Sequence, residues 1–364
     1  MEEEMEIVDV VKTFLPNERV ISYEPIGNGH INSTFMIVTD KNKYSMQKIN
    51  TNIFFNVEGL MSNIDKVTEH IKKKAIARGE DPHRATLNFL PNVETGKTYV
   101  LVDDQAYRMY EYIDYVFTIE KMEKPENFYS AGLGFGAFAK ELSDFDAGQL
   151  VETIVNFHNT SSRYRDFKKA IEFNYNNRLD DIKKEVKFVK DRKYFMSLFV
   201  NKLENGDLPL RVTHNDTKIN NILFDKETGA PATVIDLDTV MPGSYLYDFG
   251  DAIRSGATHA AEDERDLSIV DFDLGLYEQF TKGYLEACGD SLTPMEIKML
   301  PYASIMLTLE CGMRFLTDHL NGDTYFKVHR ENHNLDRART QFKLVDEMEH
   351  HIDDMTAIIN KYAK

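Results

Sequence analysis

Two short polar runs set close together constrain this chain more than any other feature. The first, from Val212 to Asp225, contains His214-Asn215-Asp216 and Asn220-Asn221, and the second is Val234-Ile235-Asp236-Leu237-Asp238. Each run places acidic or amide side chains beside a short β-branched or apolar strand. An Asp followed by an Asn, then two carboxylates one residue apart on a new strand, suits magnesium–nucleotide chemistry. One Asp accepts a hydroxyl proton, while the Asn and another Asp hold hard cations through oxygen. Asp and Asn are common in turns, and any one of them alone reads as a loop cap. The fixed spacing of two, followed by the third on a new strand, makes coincidence a poor account.

The bulk numbers set limits on this reading. A chain of 364 residues has room for two domains, and 42% hydrophobic with 28% charged residues is ordinary for a globular protein. A net charge of −17 argues against a nucleic-acid partner held by phosphate neutralisation. Cys288 and Cys311 form no Cys-x-x-Cys pair, so neither a zinc site nor a disulfide framework is expected. The start, Met-Glu-Glu-Glu-Met-Glu, is the reverse of a signal peptide's basic lead, and no apolar run has membrane-spanning length. The expectation is a cytoplasmic monomer that acts on a small molecule, with no membrane partner.

In chain order, residues 1–18 read as an amphipathic helix with Ile7, Val8, Val11 and Phe14 on one face. Strand, glycine turn and strand follow from Ile21 to Val38, with Gly27 and Gly29 at the turn, then a strand to Ile49 carrying Lys48. Such a turn lets backbone amides approach a phosphate, and Lys48 on the adjacent strand is placed to reach it. A helix over 52–77 offers Glu58, then Glu69, to orient Lys48. Strand-like runs at 87–90 and 97–102, a turn at Asp103-Asp104 and a strand from Tyr107 to Ile113 complete a small antiparallel sheet. Residues 1–112 are thus expected as a nucleotide-binding lobe. Tyr110 to Asp114 is the expected connection, with Glu111 and Ile113 as candidate nucleotide contacts.

Residues 113–364 read as mainly helical, so the fold class is α+β. Gly132, Gly134 and Gly136 lie in a helical pattern with no strand before them. They therefore predict close helix packing and not a dinucleotide fingerprint. Further helices are expected at 150–159, at 175–205 with a break near Asp191, and at 271–288, 294–321 and 336–363. Between the polar runs and the helical tail lies a cluster with Asp248, Asp251 and Arg254; Asp248 is expected to brace the loop and the other two to pair. His158 reads as a satisfied interior histidine.

Phosphoryl transfer asks for positioning and charge neutralisation. Asp216 is the expected catalytic base, Asn221 and Asp236 the metal ligands with Asp238 assisting, and His214 a structural brace. The spacing His214-x-Asp216, Asn221 and then Ile235-Asp236 resembles the aminoglycoside phosphotransferase and choline kinase branch of the protein-kinase-like fold. That branch commonly has glycine where Asn215 stands. The fuller strings from His214 to Asn221, Ile235 to Gly243, Tyr247 to Arg254 and Gly312 to Phe326, with Gly29-His30-Ile31-Asn32, are similar to the N-acetylhexosamine 1-kinases.

The resemblance implies a bilobal fold with a small antiparallel-sheet N-lobe and a larger helical C-lobe. It implies ATP- and Mg2+-dependent phosphorylation of the anomeric hydroxyl of N-acetylglucosamine or N-acetylgalactosamine to the 1-phosphate. The sugar is then expected at His30, Asn32, Asp216, Arg314, Asp318 and Tyr325. The alternatives are kinases of choline or ethanolamine, of an aminoglycoside or of another sugar. The absence of Trp counts against an aromatic cage for choline. An aminoglycoside site wants clustered acids, for which Glu262-Asp263-Glu264 is the candidate. A non-catalytic nucleotide-binding module is disfavoured by the presence of both Asp216 and Asp236.

Overall fold

The computed structural model describes residues 2–26, 32–120 and 124–363. The strands are β1 (Val20–Pro25), β2 (Ser33–Thr39), β3 (Lys43–Ile49), β4 (Val100–Val102), β5 (Gln105–Glu111), β6 (Val116–Phe117), β7 (Arg211–Thr213), β8 (Ile222–Asp225), β9 (Pro231–Val234) and β10 (Met241–Gly243). The helices are α1 (Glu2–Phe14), α2 (Val57–Arg78), α3 (Pro82–Ala85), α4 (Pro125–Glu141), α5 (Thr160–Phe173), α6 (Lys183–Asp191), α7 (Phe195–Glu204), α8 (Tyr245–Gly256), α9 (Leu274–Cys288), α10 (Pro294–Asn321), α11 (His333–His350) and α12 (Ile352–Tyr362). They form two compact units. One is Met1–Phe117 with Gln149–Ile154 and Leu223–Val240, and the other is Thr118–Gly148, Val155–Ile222 and Met241–Lys364. Two segments beyond the expected boundary at residue 112 therefore group with the first unit.

The first unit is built on an antiparallel sheet of order β1-β2-β3-β5-β4. Helix α1 covers one face. Its buried positions are Ile7, Val10, Val11 and Phe14, a helical stripe that packs on Ile37, Met46, Tyr107 and Met109. Val10, and not the expected Val8, completes the stripe. The outer edge of β5 is shared. β4 takes its first half, and the segment at 88–90 runs along its second half through Leu90 N–H to Met109 O and Glu111 N–H to Asn88 O. This sharing shortens the two expected strands: 97–102 becomes Val100–Val102, and 87–90 keeps only the bridge Phe89–Tyr110. Asp103 and Asp104, with φ of 47° and 61°, make the two-residue hairpin turn between β4 and β5.

Helix α2 starts at Asn56, whose Oδ1 accepts from Gly59 N–H, and stops at Gly79 with φ 76°. Its buried Asn63 bonds Val151 N–H and C=O and the Val240 carbonyl. One side chain thereby ties both late segments to the sheet unit. β6, β8 and β9 form a small sheet of their own.

The second unit is helical apart from the β7–β10 ladder. α4 and α9 touch backbone to backbone. A Cβ on Gly132 would lie 2.3 Å from Phe280 O, and one on Gly283 would lie 2.2 Å from Tyr129 O. The glycines on α4 are packing residues, as their sequence context suggests. We expect Gly283→Val to destabilise the protein by about 3 kcal/mol in urea unfolding, because the two helices must separate.

α10 begins with a capping box between Thr293 and Glu296, with Pro294 in its first turn, and ends at Gly322. The expected helix at 150–159 is absent. Asn156, at φ 58°, interrupts the chain, and Asn159 Oδ1 accepts from Ser162 N–H, so the helix here is α5. The expected helix at 336–363 is two, α11 and α12, parted at His351.

Candidate active site

The residues singled out by the sequence fall in both units. In the second unit β7 pairs with β10, and Thr213 Oγ1 donates to Met241 O at 2.9 Å. The chain then turns at Asn215, where φ is 66°. That left-handed conformation favours glycine, and Asn is among the side chains that tolerate it best. Asn in place of glycine at this position is conformationally conservative. Asn215→Gly should keep stability within about 1 kcal/mol, whereas Asn215→Val should cost about 2 kcal/mol or more and reduce turnover; thermal melts and a rate assay check both.

Two carboxylates on α8 hold the loop by its backbone. Asp248 accepts from His214 N–H at 2.8 Å and from Asn215 N–H at 2.7 Å. Asp251 accepts from Thr217 N–H at 3.0 Å, and Thr217 Oγ1 donates to Asp248 O at 2.6 Å. Burial pushes Asp248 up to about 6, with His214 and the two N–H donors pulling the other way. Burial also works against the charge of Asp251, but Arg254 and Lys218 outweigh it and hold its carboxyl below the usual range. Arg254 pairs with Asp251 at 2.9 Å, as expected from their spacing. His214 is buried edge-on against Phe135 and Phe138, and its Nδ1 accepts from Asp216 N–H. It is a brace.

Held this way, Asp216 meets two neighbours. Asn221 Nδ2 donates to Asp216 O at 2.8 Å and to Asp216 Oδ2 at 3.1 Å. The Asn221 amide nitrogen is thus committed, which fixes Oδ1 as its remaining acceptor. Lys218 Nζ lies 3.1 Å from Asp216 Oδ1. The charge of Asp216 pushes the Lys218 ammonium further up, against the effect of burial. Lys218 escaped the sequence reading, although it stands two residues from the expected base. Asp251 was read only as a partner of Arg254, and its bond to the loop was not foreseen.

His158 is less satisfied than expected. Its Nδ1 meets Glu310 Oε1 at 2.8 Å, but His158 Nε2 and Glu310 Oε2 have no hydrogen-bond partner.

In the first unit Asp236 sits at the end of β9 in the left-handed region, with φ 59° and ψ 57°. A non-glycine residue there is uncommon, and Asp and Asn are the side chains that tolerate it best. Asp238 is engaged in a buried cluster. Its Oδ1 lies 2.5 Å from Arg108 Nη1, and its Oδ2 accepts from Asn32 Nδ2. Asn32 Oδ1 in turn accepts from Asn50 N–H, so both ends of its amide are used. Arg108 is 2% exposed and also donates to Gln47 Oε1. Burial opposes its charge, and Asp238 more than offsets that, raising it. The structural duty of Asp238 and Asn32, and the whole part played by Arg108, were missed from sequence.

Lys48 pairs in register with Ser33, the first residue of β2, and its ammonium lies 5.5 Å from the Tyr107 ring centre. Neither acid expected to orient it does so: Glu58 pairs with Lys97 at 3.0 Å and Glu69 with Lys73 at 2.7 Å, on exposed surface. Glu111 meets His83 Nδ1 at 2.6 Å, and Ile113 is half-buried beyond the end of β5. Gly27, Gly29 and His30 lie outside the described residues.

Arg314, Asp318 and Tyr325 are brought together in the second unit, on a cavity of about 410 Å³ between α5 and the end of α10. Asp318 accepts from the N–H groups of Thr324, Tyr325 and Phe326 and from Asn334 Nδ2, at 2.8–3.0 Å. It fixes the loop after α10 and so shapes the cavity wall. Arg314 lies over the rings of Phe157, Tyr325 and Phe326, at 5.4–5.9 Å.

A loop of this build, braced through its backbone with an Asp and an Asn in mutual contact, can deprotonate a hydroxyl beside an oxygen-ligated cation. Residues 130–284 match the sequence model of the phosphotransferase enzyme family, described as APH. The matched stretch includes the loop from His214 to Asn221, both α8 carboxylates and Asp236.

Solved structures agree on the fold. A choline kinase from Cryptosporidium parvum is 14% identical with a TM-score of 0.60, over 99% of each chain. An aminoglycoside phosphotransferase from Alicyclobacillus acidocaldarius is 12% identical with a TM-score of 0.62, over 97% of this chain and 96% of that one. A microcompartment-associated aminopropanol kinase is 14% identical with a TM-score of 0.58, over 97% and 98%. The fold is thus the mixed α+β, protein-kinase-like one expected, with its five-stranded antiparallel sheet in the N-terminal part. No described helix is long and apolar enough to cross a membrane.

Proposed function

We propose that this chain is an ATP-dependent small-molecule kinase that phosphorylates the anomeric hydroxyl of an N-acetylhexosamine. The observation that supports it most is the braced loop, in which Asn221 and Lys218 flank the Asp216 carboxylate. Asp216 would accept the proton of the sugar hydroxyl as that oxygen attacks the terminal phosphorus. Lys218 would add positive charge where negative charge grows. The donor set suits Mg2+, since Asn221 presents its carbonyl oxygen and Asp236 its carboxylate. When bound, the ion neutralises phosphate charge. Asp238 is proposed as a positioning residue behind Asp236. Lys48, the turn at Gly27 and Gly29, and the backbone around Glu111 and Ile113 are proposed to hold the nucleotide.

The sugar is proposed to contact Arg314, Tyr325 and His30, with Asp318 holding the loop after α10; Asn32, whose amide is engaged by Asp238 and Asn50, is not among the contacts. A neutral sugar needs directed donors and an aromatic face, which Arg314 and Tyr325 supply. Choline, aminoglycosides and aminopropanol, named for the structural neighbours, are amino compounds. A cationic acceptor would meet the Arg314 guanidinium, which favours the sugar reading over them.

The test is incubation with Mg2+–ATP and N-acetylglucosamine, N-acetylgalactosamine, plain hexoses, choline and an aminoglycoside, with products read by phosphorus NMR. A 1-phosphate of an N-acetylhexosamine is expected. Turnover of choline or the aminoglycoside alone would overturn the substrate assignment, and turnover of nothing would overturn the kinase.

A further inference from the structure

The cavity between α5 and the end of α10 is lined by two guanidinium groups, those of Arg163 and Arg314. Five other arginines that are buried or partly buried, Arg108, Arg178, Arg192, Arg211 and Arg254, each have a carboxylate oxygen at 2.5–2.9 Å. Arg163 and Arg314, both half-buried, line one cavity and make no such pair among the described residues. Arg163 donates from Nε and Nη2 to the Phe157 carbonyl, at 3.3 and 3.1 Å. Arg314 makes ring contacts only. Burial and the positive charge of Arg314 lower Arg163 from the usual arginine range. Two like charges held together at a cost, in a chain with 60 acidic and 43 basic residues, call for a counter-charge.

Glu310 and Asp166 act on Arg163 through their charge, but no acid on the cavity pairs with either arginine among the described residues. Asp318 is spent on four N–H donors. Asp166 faces Lys169 at 3.7 Å in an exposed pair. The rim adds flat apolar faces: Tyr325 is 65% exposed, and Phe173 is 53% exposed and stacked on Tyr175 at 5.2 Å. Exposed rings beside guanidinium N–H donors make a surface for a sugar ring that carries an oxyanion.

We propose that this cavity is an anion subsite, which takes a phosphate or carboxylate group borne on a sugar through Arg163, Arg314 and Lys169. The proposal deepens the substrate assignment made above and rests on it for the sugar ring, while the anion contact rests on the cavity itself. The class of acceptor becomes a charged hexose derivative alongside the neutral one.

Calorimetric titration of the full chain with N-acetylglucosamine, N-acetylglucosamine 6-phosphate, glucuronate and inorganic phosphate tests it. At low salt a charged sugar is expected to bind about tenfold tighter than the neutral one, and the gap should narrow as salt is added. Arg163→Gln should remove the gap and leave the neutral sugar unchanged, and Arg163→Lys should restore part of it. Lys169→Glu, on an exposed side chain that poses no folding risk, should narrow it several-fold. Equal binding of all three sugars overturns the proposal, as does an equal loss for charged and neutral sugars in Arg163→Gln. Inorganic phosphate binding as tightly as the sugar phosphate overturns the sugar part. Charged sugars that bind through Arg163, without turnover of any N-acetylhexosamine, would sink the kinase substrate assignment alone. Turnover without any charge preference would sink the subsite alone.

Discussion

Asp216→Asn is expected to lower turnover about a thousandfold or more while leaving the fold in place. A positioned general base contributes about 10² to 10⁴ in rate, and an amide cannot take the proton. The substitution keeps the shape of the side chain. It alters contacts that are local, to Asn221 Nδ2 and Lys218 Nζ, so the melting transition should move by about 1 kcal/mol or less. ADP release by a coupled assay reads the rate, and nucleotide titration shows whether binding survives. Residual turnover above about a tenth of the parent would remove Asp216 from the role of base, since that loss is far below what a base contributes.

Arg108→Met is expected to cost about 3–5 kcal/mol of stability. The guanidinium and Asp238 are both almost fully buried, so the change strands a buried carboxylate without its cation. Removing both charges together, Arg108→Met with Asp238→Leu, should recover much of the loss, because the cost lies in the uncompensated charge. Urea unfolding of the single and double variants gives the coupling. A single-variant loss under about 1 kcal/mol would mean that water or another cation reaches Asp238. The same variant also tests position: Asp238 lies two residues from Asp236, so a shifted cluster should disturb the proposed metal ligand before the fold fails.

What could be read from sequence was whatever is local. The loop from His214 to Asn221 is a single run, and its spacing exposed the resemblance that the matched family model and the fold then bore out in its coarser part. Gly132 and Gly136 could be assigned to packing because no strand precedes them. The brace by Asp248 was visible because it lies close to the second run. Arg108 was invisible for the opposite reason. A charged residue on a strand defaults to solvent, and its partner lies far along the chain, brought near by the sheet and by Asn63 on α2. Asn32 and Asp238 were read as open ligands because their mutual bond is also long-range.

The shortened strands at 87–90 and 97–102 share another cause. Each has the right residues, but only one edge of β5 is available to both. The missed start of α5 turned on a single cap, Asn159, whose effect on the backbone outweighs the apolar pattern before it.

The bracing of the loop from His214 to Asn221 by α8 has a consequence for how the protein fails under heat. The loop's backbone donors end on Asp248 and Asp251, and α8 is seated against α10 through Gly250, where a Cβ would lie 2.5 Å from the Ala303 carbonyl. The loop therefore has little opening freedom separate from two core helices, and its local opening energy approaches that of the unit as a whole. Heat inactivation should then coincide with cooperative melting and not precede it. For a heated sample, remaining activity becomes a direct measure of the folded fraction.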